Sequence, residues 1–272
     1  MTWFDDIVTS HGWYQLAPFS YDSDAQVLRR VHQIGEDVPF LLSMFAEGDV
    51  LRWQADGAVS TYSAAVQADV KRMFCMHWQL DDLYAAIQHQ PRYADLIARR
   101  WGRLLVAPTV WEDLAKTLFT TNTTWSQTRQ MSARLCALGS PYNDKYAFPT
   151  PHSIAAMPLD DFSQAIRAGY RASYLHELAQ RIVEGLDVEA WRTLDSDRLY
   201  KQVRSLKGFG DYAAGTMVRM LGHFDRLAID TECRASYRRL TGLATFTDND
   251  IRTHYAQYRQ YQGWVMWMDM MT

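Results

Sequence analysis

Apolar and polar positions follow two different rhythms along the chain. Near the N-terminus, apolar-rich runs such as Phe40-Leu41-Leu42-Ser43-Met44-Phe45 and Val50-Leu51-Arg52-Trp53-Gln54 are separated by Glu47-Gly48-Asp49 and followed by Ala55-Asp56-Gly57. Strand composition bounded by Gly and Asp predicts hairpins, so residues 1–75 read as a small antiparallel sheet with one helix near 24–35. From Asp81 onward the apolar spacing becomes three and four: Leu83, Ala86 and Ile87, then Leu114 and Leu118, then Met131, Leu135 and Leu138, then Phe162 and Ile166, then Leu175, Leu178 and Ile182. That is the period of helices buried on one face. Pro91, Pro108, Gly139-Ser140-Pro141, Pro149-Thr150-Pro151, Pro158, Gly169 and Gly185 cut the run into short helices. The implied fold is mostly α, with an N-terminal α+β sheet domain at 1–80 and a helical body at 81–272.

Composition narrows the class. With 272 residues, 48% hydrophobic and 13% aromatic, the chain can bury a sizeable core, which excludes a disordered or fibrous protein. A formal charge of −3 excludes a uniformly basic coat for nucleic acid. The charge is uneven, because residues 1–60 hold three basic side chains against nine acidic ones and the rest of the chain carries a net +3. Cys75, Cys136 and Cys233 lack CxxC or Cys/His spacing, which argues against a disulfide framework or a zinc site and for a reducing compartment. The start carries Asp5, Asp6 and His11 without a signal-like apolar run, and no stretch approaches the roughly 18 apolar residues that span a bilayer. A soluble protein of the cytoplasm or nucleoid is expected, with no membrane partner.

The most informative stretch is Leu206 to Arg239, LKGFGDYAAGTMVRMLGHFDRLAIDTECRASYRR. An amphipathic helix with Leu199, Val203 and Leu206 leads into Gly208-Phe209-Gly210, and a second helix follows with Ala213, Met217, Met220 and Leu221 on its apolar side. The pattern is a helix-hairpin-helix over about 196–223. Its glycines admit backbone conformations closed to other residues and keep side chains away from a ligand. The N–H groups that open the second helix, at the positive end of its dipole, suit an anion such as a DNA phosphate. Taken alone, Gly-x-Gly is more often a tight helix-to-helix turn, and an Asp before a helical pattern, as at Asp230, is usually an N-cap. A hairpin followed by a carboxylate at the end of Leu227-Ala228-Ile229-Asp230 is more specific than either feature.

Leu206-Lys207-Gly208-Phe209-Gly210 followed by Ile229-Asp230-Thr231 resembles the helix-hairpin-helix superfamily of base-excision DNA glycosylases, in which a Leu-Pro-Gly-x-Gly hairpin precedes an essential Asp at similar spacing. Leu118-Phe119-Thr120-Thr121-Asn122-Thr123-Thr124-Trp125 resembles the segment that fills the gap left by an extruded base. Ala168-Gly169-Tyr170-Arg171-Ala172-Ser173-Tyr174-Leu175 is similar to a segment of 8-oxoguanine glycosylases, and Tyr261-Gln262-Gly263-Trp264 to the helix start that closes their base pocket. The resemblance covers residues 100–272 and implies the helix-hairpin-helix DNA glycosylase fold, a monomer, and damaged double-stranded DNA as partner.

The resemblance implies that Asp230 is the catalytic residue. Breaking an N-glycosidic bond develops positive charge on the deoxyribose, which a carboxylate stabilises while it orients water, once the nucleotide has been flipped from the duplex. Lys207, Gly208, Phe209 and Gly210 are the expected DNA contacts of the hairpin. Asn122 is the expected gap filler, with Gln127 and Tyr170 meeting the partner base and Arg171 a phosphate; a capped turn before a helix is the alternative reading of the Thr-rich cluster. Bifunctional members carry a lysine two residues past the second glycine, where this chain has Tyr212. That implies attack by water and a monofunctional enzyme without Schiff-base lyase activity.

Tyr212 also resembles the 3-methyladenine branch, in which ring faces stack on cationic bases. Tyr237, Trp264 and Trp267 are further expected faces of the base pocket, with core packing as the alternative. The expected activity is removal of alkylated purines to leave an abasic site. The alternatives are an oxidised purine of the 8-oxoguanine type, toward which Gly169-Tyr170-Arg171 and Tyr261 to Trp264 lean, and a non-catalytic DNA- or lesion-binding module. No cysteine follows Cys233, so no iron–sulfur cluster is expected. The only ion that the resemblance suggests is an alkali cation on hairpin carbonyls. Asp211, a negative charge beside the hairpin, has no evident task in the sequence.

Overall fold

The computed structural model describes residues 2–57 and 63–271. It begins with helix α1 (Trp3–Val8) and strands β1 (Phe19–Asp22), β2 (Val27–His32), β3 (Phe40–Glu47) and β4 (Val50–Ala55). Helices follow as α2 (Ser63–Met73), α3 (Asp81–Ile87), α4 (Ala94–Ala98), α5 (Val110–Thr120), α6 (Trp125–Cys136), α7 (Pro151–Ala155), α8 (Leu159–Ile166) and α9 (Tyr170–Val183). The chain ends with α10 (Ser196–Arg204), α11 (Asp211–Met220), α12 (Thr231–Thr241), α13 (Asp248–Ala256) and α14 (Gln262–Met271). The fold is mostly helical with a four-stranded antiparallel sheet in the order β1-β2-β3-β4, as the patterning predicts. Two compact units divide it, 1–78 with 95–189 and 79–94 with 190–272. The first unit therefore takes helices from beyond the point near residue 80 where the composition changes.

In the first unit, β3 buries Phe40, Leu42 and Met44 on alternate positions, and the register sets Leu28 opposite Met44 and Arg30 opposite Leu42. The helix expected near 24–35 is not present. Asp22 Oδ1 accepts the Ala25 N–H at 2.9 Å and Gln26 takes a φ of 52°, which turns β1 directly into β2 and leaves Val27, Leu28 and Val31 in a strand. Arg30, 3% exposed, is held by α5: its terminal nitrogens donate to Glu112 at 3.2 and 2.9 Å. Lys116, fully buried, donates to the same carboxylate at 2.7 Å and lies 4.5 Å from the Phe19 ring centre. Burial alone would raise the Glu112 pKa, but Arg30 and Lys116 outweigh it and hold the carboxyl below its ordinary range.

The second unit gathers α10 to α14 with residues 79–94. Gly263 opens the way for α14, because a Cβ there would lie 1.9 Å from the Arg226 carbonyl oxygen. The Gly263 N–H donates to the Phe224 carbonyl at 2.8 Å. Asp269, 4% exposed on α14, accepts the hydroxyls of Tyr93 and Tyr255 at 2.7 and 2.9 Å. Through that carboxylate residues 79–94 are tied to the C-terminal helix.

Candidate active site

The two helices of the hairpin meet through a turn that the sequence dictates. Gly208 has a φ of 85°, a conformation that favours glycine. Phe209 is 3% exposed, so its ring is packed inside and does not face a ligand. Gly210, the N-cap of α11, has an ordinary φ of −79°, and a Cβ there would meet nothing within 4 Å. Neither strain nor crowding requires a glycine at 210, so the fold itself does not account for it. Lys207 is exposed beside it. Asp211 gains the task that the sequence did not reveal: it accepts the Tyr200 hydroxyl at 2.8 Å and pairs with Arg204 Nε at 3.0 Å. Arg204 Nη1 in turn donates to the Phe209 carbonyl at 3.0 Å, so the ion pair is anchored on the turn itself.

Asp230 is the N-cap of α12 and half-buried, its Oδ1 accepting the Cys233 N–H at 2.8 Å. Oδ2 accepts no hydrogen bond among the described residues. The segment that carries it lies against α11 at Gly215, where a Cβ would sit 3.0 Å from the Leu227 carbonyl oxygen and 3.2 Å from the Ala228 Cβ. A side chain at 215 would make that segment give way by a few tenths of an ångström. The Cys233 thiol is pushed up to about 12 by burial and by Asp230, so it stays protonated and is no nucleophile at neutral pH.

Of the four expected ring faces, Tyr212 is half-exposed at the start of α11. Tyr237 is buried with its ring edge-on to Phe246 and His254, and fully buried Trp264 packs 4.6 Å from Phe224 and 4.9 Å from Trp267, ring centre to ring centre. These three rings build the interior of the unit. Two residues that sequence reasoning passed over stand on the same side of α11 as Tyr212, at the positions four and seven further on: Thr216 and Arg219. Thr216 Oγ1 and Arg219 Nη1 are buried without a hydrogen-bond partner. The Arg219 guanidinium lies 5.6 Å from the Trp267 ring centre, and burial pulls its pKa down against the opposing pull of the acidic side chains Tyr212, Asp230 and Cys233. Polar residues at helical spacing on an otherwise apolar stretch, AAGTMVRML, were the signal available in the sequence.

The first unit holds the other expected contacts on one surface. Asn122 is exposed between α5 and α6 with a φ of 46°, a conformation that asparagine tolerates better than most residues. Thr124 and Gln127 form the capping box of α6, so the Thr-rich cluster is a capped turn and Gln127 is engaged at the helix start. Arg171, expected at a phosphate, is only 7% exposed, and its guanidinium donates to the carbonyls of Thr121 and Asn122, the latter at 2.9 Å. The same guanidinium lies 4.6 Å from the ring centre of Tyr170, which is 47% exposed. Arg171 thus fixes Asn122 and Tyr170 side by side on this unit.

Among the described residues, no group of three or more His, Cys, Asp and Glu side chains is placed to hold a metal ion, and no helix is long and apolar enough to cross a membrane. A family model described as HhH-GPD superfamily base excision DNA repair protein matches residues 115–258. Among solved structures, a 3-methyladenine DNA glycosylase from Archaeoglobus fulgidus is similar with a TM-score of 0.77 and 17% identity, over 98% of this chain and 94% of that one. An 8-oxoguanine glycosylase/lyase from Clostridium acetobutylicum in its apo form is similar with a TM-score of 0.76 and 15% identity, over 98% and 92%. MBOgg1 in complex with a low-affinity DNA ligand gives a TM-score of 0.76 and 15% identity, over 98% and 90%. At these identities the likeness is one of fold. Among curated proteins, none matches the chain in sequence.

Proposed function

The chain belongs to the HhH-GPD superfamily of base excision DNA repair proteins, and from that premise we propose that it is a monofunctional DNA glycosylase. In this reading it flips a damaged purine out of double-stranded DNA and releases it by attack of water, leaving an abasic site. Asp230 carries the reading: a carboxylate fixed through Oδ1 at a helix start, with Oδ2 uncommitted, follows a hairpin whose Gly210 the fold itself does not require. As the C1′–N9 bond breaks, its electron pair leaves on the base, and Oδ2 faces the positive charge of the deoxyribose while it orients the water that adds to C1′. Tyr212 offers a phenol where a Schiff base needs an amine, and Cys233 stays protonated. No step depends on a metal ion, and the hairpin binds phosphate through its N–H groups and Lys207. Asn122, held by Arg171, fills the gap left by the extruded nucleotide.

An alkylated purine is the lesion class supported by the half-exposed ring of Tyr212. A second class, a neutral purine of the 8-oxoguanine type, is favoured by Arg219, because a guanidinium beside the catalytic carboxylate repels a cationic base. The test is base release from lesion duplexes by wild type and Asp230→Asn, with borohydride trapping of each reaction. Release is expected to fall by at least about 100-fold in the variant, with duplex binding retained and no covalent adduct formed by either protein. Undiminished release by Asp230→Asn overturns the role of the carboxylate, and a trapped adduct overturns attack by water.

A further inference from the structure

We infer that Thr216 and Arg219 form the wall of the pocket that reads the edge of the extruded base, and that this wall selects a neutral purine bearing a ring carbonyl over a cationic alkylated purine. The inference rests on the glycosylase reading of the same site. Tyr212, Thr216 and Arg219 occupy one stripe of α11, the helix against which the Asp230 segment packs at Gly215. Buried polar atoms without partners are rare in native proteins, and here two of them, Thr216 Oγ1 and Arg219 Nη1, stand one helical turn apart on that stripe. Arg30, His32, Trp78, Arg103, His254 and Trp264 also leave a buried side-chain nitrogen without a hydrogen bond, but the first, second and fourth bond through another atom of the same side chain and the other three are aromatic rings packed on neighbouring rings. Thr216 and Arg219 make no side-chain hydrogen bond or ion pair at all among the described residues. Folding gains nothing from that arrangement; a ligand that supplies an acceptor to Nη1 and a partner to the hydroxyl does.

Charge decides which ligand. A base such as 7-methylguanine is cationic in the nucleotide, and a guanidinium in a site shielded from water opposes its entry. A neutral base with a ring carbonyl, such as hypoxanthine or 8-oxoguanine, offers an oxygen to Nη1 and a ring nitrogen or N–H to Thr216. The bond-breaking step points the same way. When C1′–N9 breaks, both electrons stay with N9; a cationic base then leaves neutral, whereas a neutral base leaves as an anion. Arg219, protonated throughout, stabilises that anion by a charge-assisted hydrogen bond. The water oxygen bonds to C1′, and a proton released from the water ends on the base. The guanidinium thus does for the leaving group what Asp230 does for the sugar.

The experiment compares single-turnover release of hypoxanthine, 8-oxoguanine and 7-methylguanine from otherwise identical duplexes by wild type, Arg219→Met, Arg219→Lys and Thr216→Val, with the melting temperature of each protein recorded. Wild type is expected to release the neutral bases faster than 7-methylguanine. Arg219→Met is expected to lose about 100-fold on the neutral bases and nothing on 7-methylguanine; Arg219→Lys restores part of the loss, and Thr216→Val loses about tenfold on the neutral bases alone. A purely structural role would lower all three alike, so equal losses overturn the inference, as does a wild-type preference for 7-methylguanine. If no duplex yields free base, the glycosylase reading fails, and binding of free hypoxanthine, followed by quenching of tryptophan fluorescence, decides the pocket separately. Quenching that Arg219→Met abolishes supports the wall; no quenching, or quenching unchanged in the variant, overturns it.

Discussion

The two compact units each draw an arginine away from water, Arg30 as a whole and Arg219 at its Nη1, and they do so in opposite ways. Arg30 in β2 places both terminal nitrogens on Glu112, and Lys116 shares the same carboxylate. Arg219 in α11 has no carboxylate within ion-pair distance among the described residues, and its Nη1 has no acceptor. Stripping water from a charge costs several kcal/mol unless neighbours offset it. In the first unit the offset is built into the fold. Around α11 no ion pair supplies it, and the acidic side chains that act on Arg219 are Tyr212, Asp230 and Cys233, the neighbourhood of the candidate chemistry. The difference separates polar groups that serve folding from those held ready for something that arrives later.

The largest effect that tests this contrast is in stability. Glu112→Ala leaves Arg30 and Lys116 buried as two like charges without a counter-ion, and unfolding in denaturant is expected to show a loss of about 3–5 kcal/mol. Arg219→Met, measured alongside, is expected to fold at least as stably as wild type, because an apolar chain of similar volume replaces an uncompensated cation. A loss under about 1 kcal/mol for Glu112→Ala would break the comparison from one side. A large loss for Arg219→Met would break it from the other.

Glycines repeat the lesson on a smaller scale. Gly215 is favoured by the protein itself, since a Cβ there would press on Leu227 and Ala228; a Cβ at Gly210 would meet nothing within 4 Å. Gly215→Ala is expected to cost about 1–3 kcal/mol and, because the displaced segment carries Asp230, to slow base release about tenfold even where the protein remains folded. Gly210→Ala is expected to leave the melting temperature unchanged and to weaken duplex binding. The opposite pattern, a stability loss at 210 and none at 215, would show that the close approach has been assigned to the wrong glycine.

Much of this was legible in the sequence because it is local. The hairpin lies within a few residues of the glycines that define it, Asp230 caps the helix immediately after it, and the helices of the body announce themselves by apolar spacing. The strands at 40–47 and 50–55 were legible for the same reason. Residues 24–35 were misread as a helix because the deciding features are a side-chain turn at Asp22 and the pairing of β2 with β3, neither of which leaves a periodic trace. Arg171 looked like a phosphate contact because nothing in its own segment reveals the carbonyls of Thr121 and Asn122 that it holds. Arg219 was invisible for a stronger reason. Its interest lies in what does not face it, and the absence of a partner is a property of the folded arrangement alone.

The smallest expected effect concerns a charge that stands between the two cases. Asp211 is paired, like Glu112, yet exposed beside the hairpin N–H groups, where phosphate is expected to bind. An exposed pair contributes little, so Asp211→Asn should change stability by less than about 1 kcal/mol. Its effect should appear in DNA binding. The pair with Arg204 is neutral, and removing the carboxylate frees one guanidinium next to the hairpin and deletes one repulsion. Affinity for an undamaged duplex is then expected to rise a few-fold, and the slope of log affinity against log salt to steepen by about 0.9, the increment for one added phosphate contact. Wild type itself, carrying only +3 beyond residue 60, should show a shallow slope. If Asp211→Asn binds as wild type does at every salt concentration, Arg204 lies outside the phosphate track. Asp211 then belongs with Glu112 as a partner of the fold, and Lys207 and Gly210 remain as the features of the turn that point outward.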